Sequence, residues 1–108
     1  MKLWIDDVRP APDGYIWLKS VIETKNMIKH IESLYVYNPL YNDDCIIELI
    51  DIDHDAGDWA EFGGDYIKLL DWFEETGRSY PIHIHSMNPV GVANMRRIIE
   101  KNKWKEIK

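Results

Sequence analysis

The chain has 108 residues, 45% of them hydrophobic and 30% charged, which suits one folded domain spanning residues 1–108 and argues against disorder. Its formal charge of −6, from 13 Lys and Arg against 19 Asp and Glu, opposes nonspecific nucleic-acid binding, which runs on clustered cations. The single Cys45 leaves no internal disulfide, "MKLWIDD" reaches acids too soon for a signal-peptide core, and no apolar run nears the ~20 residues of a bilayer span; a reducing, cytoplasmic setting without a membrane partner is expected.

In chain order, "KLWID" reads as a first strand ending at Asp6-Asp7. "VRPAPDG" follows, where Pro10, Pro12 and Gly14 forbid a helix or strand interior. The aromatic and β-branched run Tyr15 to Val21 is a second strand. Ser20 and Glu23 fit a capping box, and Met27, Ile28, Ile31 and Leu34 recur at helical spacing to about Tyr35. "YNPLYNDD" is a loop, and "CIIELID" (Cys45 to Asp51) is a third strand, apolar enough to be covered on both faces. A second helix carries Tyr66, Ile67, Leu70 and Phe73 and stops at Gly77. "YPIHIHS" is a fourth strand, and Asn88-Pro89 opens a last helix with Val92, Met95 and Ile99 as its buried stripe.

Strands alternating with helices imply a parallel sheet with right-handed crossovers. The first two strands are joined by a connection short for a parallel pair; a Pro-rich segment climbing back along the sheet is preferred over antiparallel pairing. Ligands of such sheets bind beyond the carboxyl ends of the strands. Three predicted strands end there in polar residues: Asp6-Asp7, Asp53-His54-Asp55 and His85-Ser86-Met87-Asn88. Converging carboxylates suit an oxygen-seeking divalent ion such as Mg²⁺. Asp51 is set aside as a sheet-surface or turn-capping residue, and His83 as core.

"LWIDDVRPAP", "YIWLKS", "IDIDHDAG" and "IHSMNPVG" together resemble the cyclic-phosphate processing receiver-like family, a compact derivative of two-component receiver domains. The resemblance runs from Leu3 to about Ile99. It implies an α/β, receiver-like (flavodoxin-like) three-layer fold with a mainly parallel four-stranded sheet, reduced relative to a full receiver. It also implies that Asp6 and Asp7 match the metal-binding acidic pair, Asp53 the phosphoacceptor position and Ser86 the strand-four hydroxyl. The departures are a missing strand-five lysine and "RPAPDG" in place of the first receiver helix, so an ordinary phosphorelay is not expected.

The residues assigned to chemistry are Asp53, His54, His85 and Ser86, with Asp6, Asp7 and Asp53 as metal ligands. Arg9, Asp55 and Asn88 are assigned to ligand binding, although Arg9 also reads as a neutraliser of the acids and Asn88 as a helix cap. Trp59 beside the site reads as packing or as a stacking surface for a base. The leading function is a metal-assisted phosphoesterase that opens a cyclic phosphate on a nucleotide or related small molecule, with a histidine as general acid or base. The alternatives are a receiver-derived binding or signalling module phosphorylated on Asp53, and a scaffold that binds no ion.

Overall fold

The computed structural model describes residues 1–37 and 46–108. Four strands, β1 (Lys2–Ile5), β2 (Tyr15–Leu18), β3 (Leu49–Ile52) and β4 (Ile82–Ile84), form one sheet in the order β2-β1-β3-β4. Three helices accompany it: α1 (Val21–Tyr37), α2 (Ile67–Thr76) and α3 (Pro89–Asn102). Every strand pair is parallel, β1 with β2 included. The Pro-rich segment does climb back along the sheet. Two indoles pin it there, Trp4 Nε1 donating to Arg9 O at 2.8 Å and Trp17 Nε1 to Asp6 O at 2.7 Å.

Right-handed crossovers running the same way across the sheet place α1 and α2 on one face, and α3 packs against α2. Toward the helices the strands present Leu3, Ile5, Leu18, Ile50, Ile52 and Ile82, all buried. Alternation sends Trp4, Asp51 and His83, which share one register row, to the opposite face. There residues 6–14 take the place of helices, while the C-terminal segment runs along the edge of β4, the Ile82 amide donating to Lys105 O and the Ile107 amide to Ile82 O, with His83 Nδ1 2.8 Å from Ile107 O. Glu106 forms a single parallel bridge with Ile82. This is the α/β, receiver-like plan expected, with its parallel four-stranded sheet. The helices gather on one face, so the third layer of the expected three-layer fold is absent among the described residues, and the reduction falls on that side.

Several element limits move from the sequence expectation for local reasons. β2 stops at Leu18 rather than Val21, because Ser20 Oγ accepts the Glu23 amide at 3.0 Å and starts α1 at Val21. Cys45, the expected start of the third strand, lies outside the described residues; Ile46 is exposed, and β3 begins only at Leu49 and runs on to Ile52. β4 is limited to Ile82–Ile84, since Pro81 has no amide to give and Tyr80 turns to Glu32. The glycine cap is as expected, Gly77 taking φ 69° after α2. In α3 the buried row is Gly91, Met95 and Ile99; Val92 is half-buried, one position off that row.

Candidate functional site

The carboxyl ends of β1, β3 and β4 meet at one edge of the sheet. Asp6 leaves β1 fully buried. Its Oδ1 accepts the amides of Val8 and Arg9, both at 2.9 Å, and its Oδ2 accepts Arg9 Nε at 2.9 Å and lies 2.9 Å from His85 Nε2. Burial alone would raise its pKa, but the two amides, His85 and the Arg9 guanidinium outweigh that and hold it below the ordinary carboxylate value. An ionised carboxylate offers about four acceptor positions, so Asp6 is saturated.

Asp7 is in the opposite state. Burial raises its pKa, and the negative charges of Asp6 and Asp53 raise it further. Gly57, which starts a short 3₁₀ turn and has φ +55°, makes room for it: a Cβ there would fall 2.4 Å from Asp7 Oδ2. Asp53 follows β3 and continues its ladder, donating its amide to Ile5 O at 2.9 Å. Its Oδ1 accepts the His54 amide at 2.7 Å, and its Oδ2 lies 3.2 Å from Arg9 Nη2. One oxygen from each of Asp6, Asp7 and Asp53 falls within 4.8 Å of the others.

His85 stands beside this cluster, held on three sides. Its ring stacks on Trp4 at 3.9 Å with planes 4° apart. Nδ1 lies 2.6 Å from Asp51 Oδ1, and Nε2 faces Asp6 as described. Each ring nitrogen thus has a carboxylate oxygen within hydrogen-bond distance. Asp51, set aside from the sequence, is therefore part of the site. The strand parity carries the signal: Asp51 shares the face of Trp4 and alternates with buried Ile50 and Ile52. A carboxylate buried in a sheet needs a partner from a neighbouring strand, and β4 brings one.

The remaining candidates stand apart from the acidic cluster. The His54 ring lies against Gly91 in the first turn of α3, where a Cβ would be 2.4 Å from its Cγ. Its Nδ1 is 2.9 Å from Asp55 Oδ1, and Asn88 Nδ2 reaches the same carboxylate at 3.3 and 3.4 Å. The His54 contact, then that of Asn88, lowers the Asp55 pKa against a small burial penalty. His54, Asp55 and Asp65 form a second group of oxygen and nitrogen donors, and Asp65 Oδ1 also accepts the Ala56 amide at 2.9 Å. Ser86 Oγ accepts the Asn88 amide at 3.1 Å, closing the turn into α3, and Asn88 Oδ1 caps the helix through the Gly91 amide at 3.0 Å. Trp59 packs against Phe62, with Lys19 Nζ 5.7 Å above its ring.

Residues 1–101 match the family model of the cyclic-phosphate processing receiver domain. The chain belongs to this family. No curated protein and no solved structure gives a significant match, so the geometry of this receiver domain rests on its own residues. No helix among the described residues is long and apolar enough to cross a membrane.

The donor set of this receiver domain suits a hard divalent cation. It is all oxygen, three carboxylates converge, and Asp7 carries charge that its neighbours oppose rather than neutralise. Because Asp6 is saturated by four donors, Asp7 and Asp53 are the residues with lone pairs to give. The cation present at the acids is Arg9, bridging Asp6 and Asp53 and donating from Nη1 to His85 O at 3.3 Å. Of its two sequence readings, neutralisation is the one these contacts describe.

Proposed function

We propose that this receiver domain is a metal-assisted phosphoesterase that opens a cyclic phosphate on a nucleotide or related small molecule. The observation that carries the reading is the meeting of Asp7, Asp53, Arg9 and His85 at one sheet edge, in a chain of the cyclic-phosphate processing family. Opening the ring adds one water: its oxygen bonds to phosphorus, one ring P–O bond breaks, and the departing oxygen takes a proton. The product is a phosphomonoester with a free hydroxyl. A divalent ion held by Asp7 and Asp53 would supply charge stabilisation and a more acidic water. Arg9 would pair with phosphate oxygens. The His85 ring, held by Asp51 at Nδ1 and by stacking on Trp4, turns Nε2 to Asp6 beside the proposed ion ligands, where it would move the proton the departing oxygen needs. His54, Asp55, Ser86 and Asn88 supply the wall nearest α3 and contact the rest of the ligand.

The test is hydrolysis of 2′,3′- and 3′,5′-cyclic nucleotides in the presence of Mg²⁺. Asp53→Asn and His85→Ala are each expected to lower turnover at least ~100-fold, the usual scale for loss of an acid–base group. Unchanged rates in both variants would remove the reading. A second reading, a binding or signalling module phosphorylated on Asp53, is favoured by His85 having carboxylates at both ring nitrogens. It predicts a stable acyl-phosphate after incubation with a small phosphodonor, read as a mass increase that Asp53→Asn abolishes.

A further inference from the structure

The strongest unassigned feature is the way Arg9 is held. Its backbone is fixed at both polar atoms, the amide donating to Asp6 Oδ1 at 2.9 Å and the carbonyl accepting from Trp4 Nε1 at 2.8 Å, and Pro10 stiffens the next residue. Its side chain is 46% exposed, whereas those of the acids it bridges are 0% exposed at Asp6 and 10% at Asp53. It lies over the buried carboxylates as a cover anchored at its base. Its contacts fall into two classes. The Nε bond to Asp6 Oδ2 is short at 2.9 Å, while the reaches to Asp53 Oδ2 and His85 O are longer at 3.2 and 3.3 Å. The tip is thus the looser part, and it is the tip that sits on Asp53.

We infer that Arg9 is the built-in cation of this pocket and sets its affinity for a divalent ion, because the ion and the guanidinium tip compete for Asp53. The inference rests on the reading of Asp7 and Asp53 as ion ligands. Two cations held by one carboxylate repel each other strongly at a separation of a few ångströms. Moving the rigid, planar guanidinium off Asp53 relieves that repulsion and loosens its Nε contact with Asp6 as well; tethered at the edge through its backbone, the group becomes available to a phosphate oxygen. One residue then serves as counter-ion in the absence of metal and as anion contact in its presence.

The probe is Mg²⁺ alone, titrated by calorimetry into the wild-type chain and into Arg9→Met. The variant is expected to bind on the order of tenfold more tightly or better. Saturable binding of equal strength in both proteins overturns the inference and leaves the ion site standing. Absence of binding in both removes the ion reading and the inference with it. If Arg9→Met does not fold, the wild-type protein still decides the matter through the Arg9 Nε–H resonance in ¹⁵N-edited spectra. Competition requires that signal to shift with the same saturation curve as the Asp7 and Asp53 amides. An Nε–H signal that stays fixed while those amides saturate overturns it.

Discussion

Gly57 and Gly91 are positions at which a methyl group would meet a side chain of the site. At Gly57 the clash is with the end of Asp7, which can swing away; Gly57→Ala should therefore cost about 1 kcal/mol, from the positive φ, and weaken Mg²⁺ binding, both measurable by thermal melts with and without the ion. At Gly91 the clash is with the base of the His54 ring. Alanine favours a helix by about 1 kcal/mol over glycine, yet Gly91→Ala should destabilise by about 1–3 kcal/mol, because the ring must leave its seat; urea unfolding would show it. Asp6 and Asp7 pull stability in opposite directions with pH. The pKa of Asp6 lies below its ordinary 3.8, so its contribution is complete above that value and fades as pH falls through the folded-state value. The pKa of Asp7 is raised, so its ionisation costs stability as pH climbs above 3.8 through its folded-state value. Asp7→Asn should accordingly raise the melting temperature at neutral pH in ion-free buffer and abolish any further rise on adding Mg²⁺. At this scale the sequence shows which residue types gather at the edge. It does not show that His54 turns toward α3, since that depends on a missing Cβ at Gly91, or that Asp51 pairs with His85, since that depends on β4 lying beside β3.

Elements are legible where one local signal dominates. Asn88-Pro89 announces α3 and Gly77 ends α2, because caps are short-range chemistry. The strand limits are less legible: "CIIELID" is apolar but for Glu48 and Asp51, and hydropathy alone does not say that pairing with β1 begins at Leu49. Asn88 itself separates two roles. Asn88→Ala should remove the cap and cost about 1 kcal/mol, whereas Asn88→Ser keeps a capping oxygen and should restore most of that stability. If ligand binding stays lost in Asn88→Ser, its amide contributes to recognition; if binding returns with stability, the residue acts through the helix. Another join between elements is Glu32 of α1, which accepts a forked pair from Arg78 beyond α2 and also meets the Tyr80 hydroxyl. Arg78 in turn lies 4.1 Å from the Trp72 ring centre. Arg78 and Tyr80 flank the entry to β4, so this join fixes the approach of the strand that delivers His85.

For the whole molecule, a parallel sheet with its helices gathered on one face follows from the order of strands and helices, and that order is readable from periodicity. The opposite face is harder to foresee, because its cover comes from irregular chain held by Trp4 and Trp17. One consequence concerns how the domain comes together. β1 is a central strand, yet its β3 partner lies nearly half the chain away, with Lys2 opposite Leu49. Such non-local pairing is slow to form. Asp6 and Asp7 therefore meet Asp53 only when this pairing closes, whereas β4, with Ile82 opposite Ile50, lies nearer to β3 in the chain. The ion pocket is a product of the last closures rather than a nucleus for them. Mg²⁺ should then slow unfolding in a denaturant-jump experiment while leaving the refolding rate nearly unchanged.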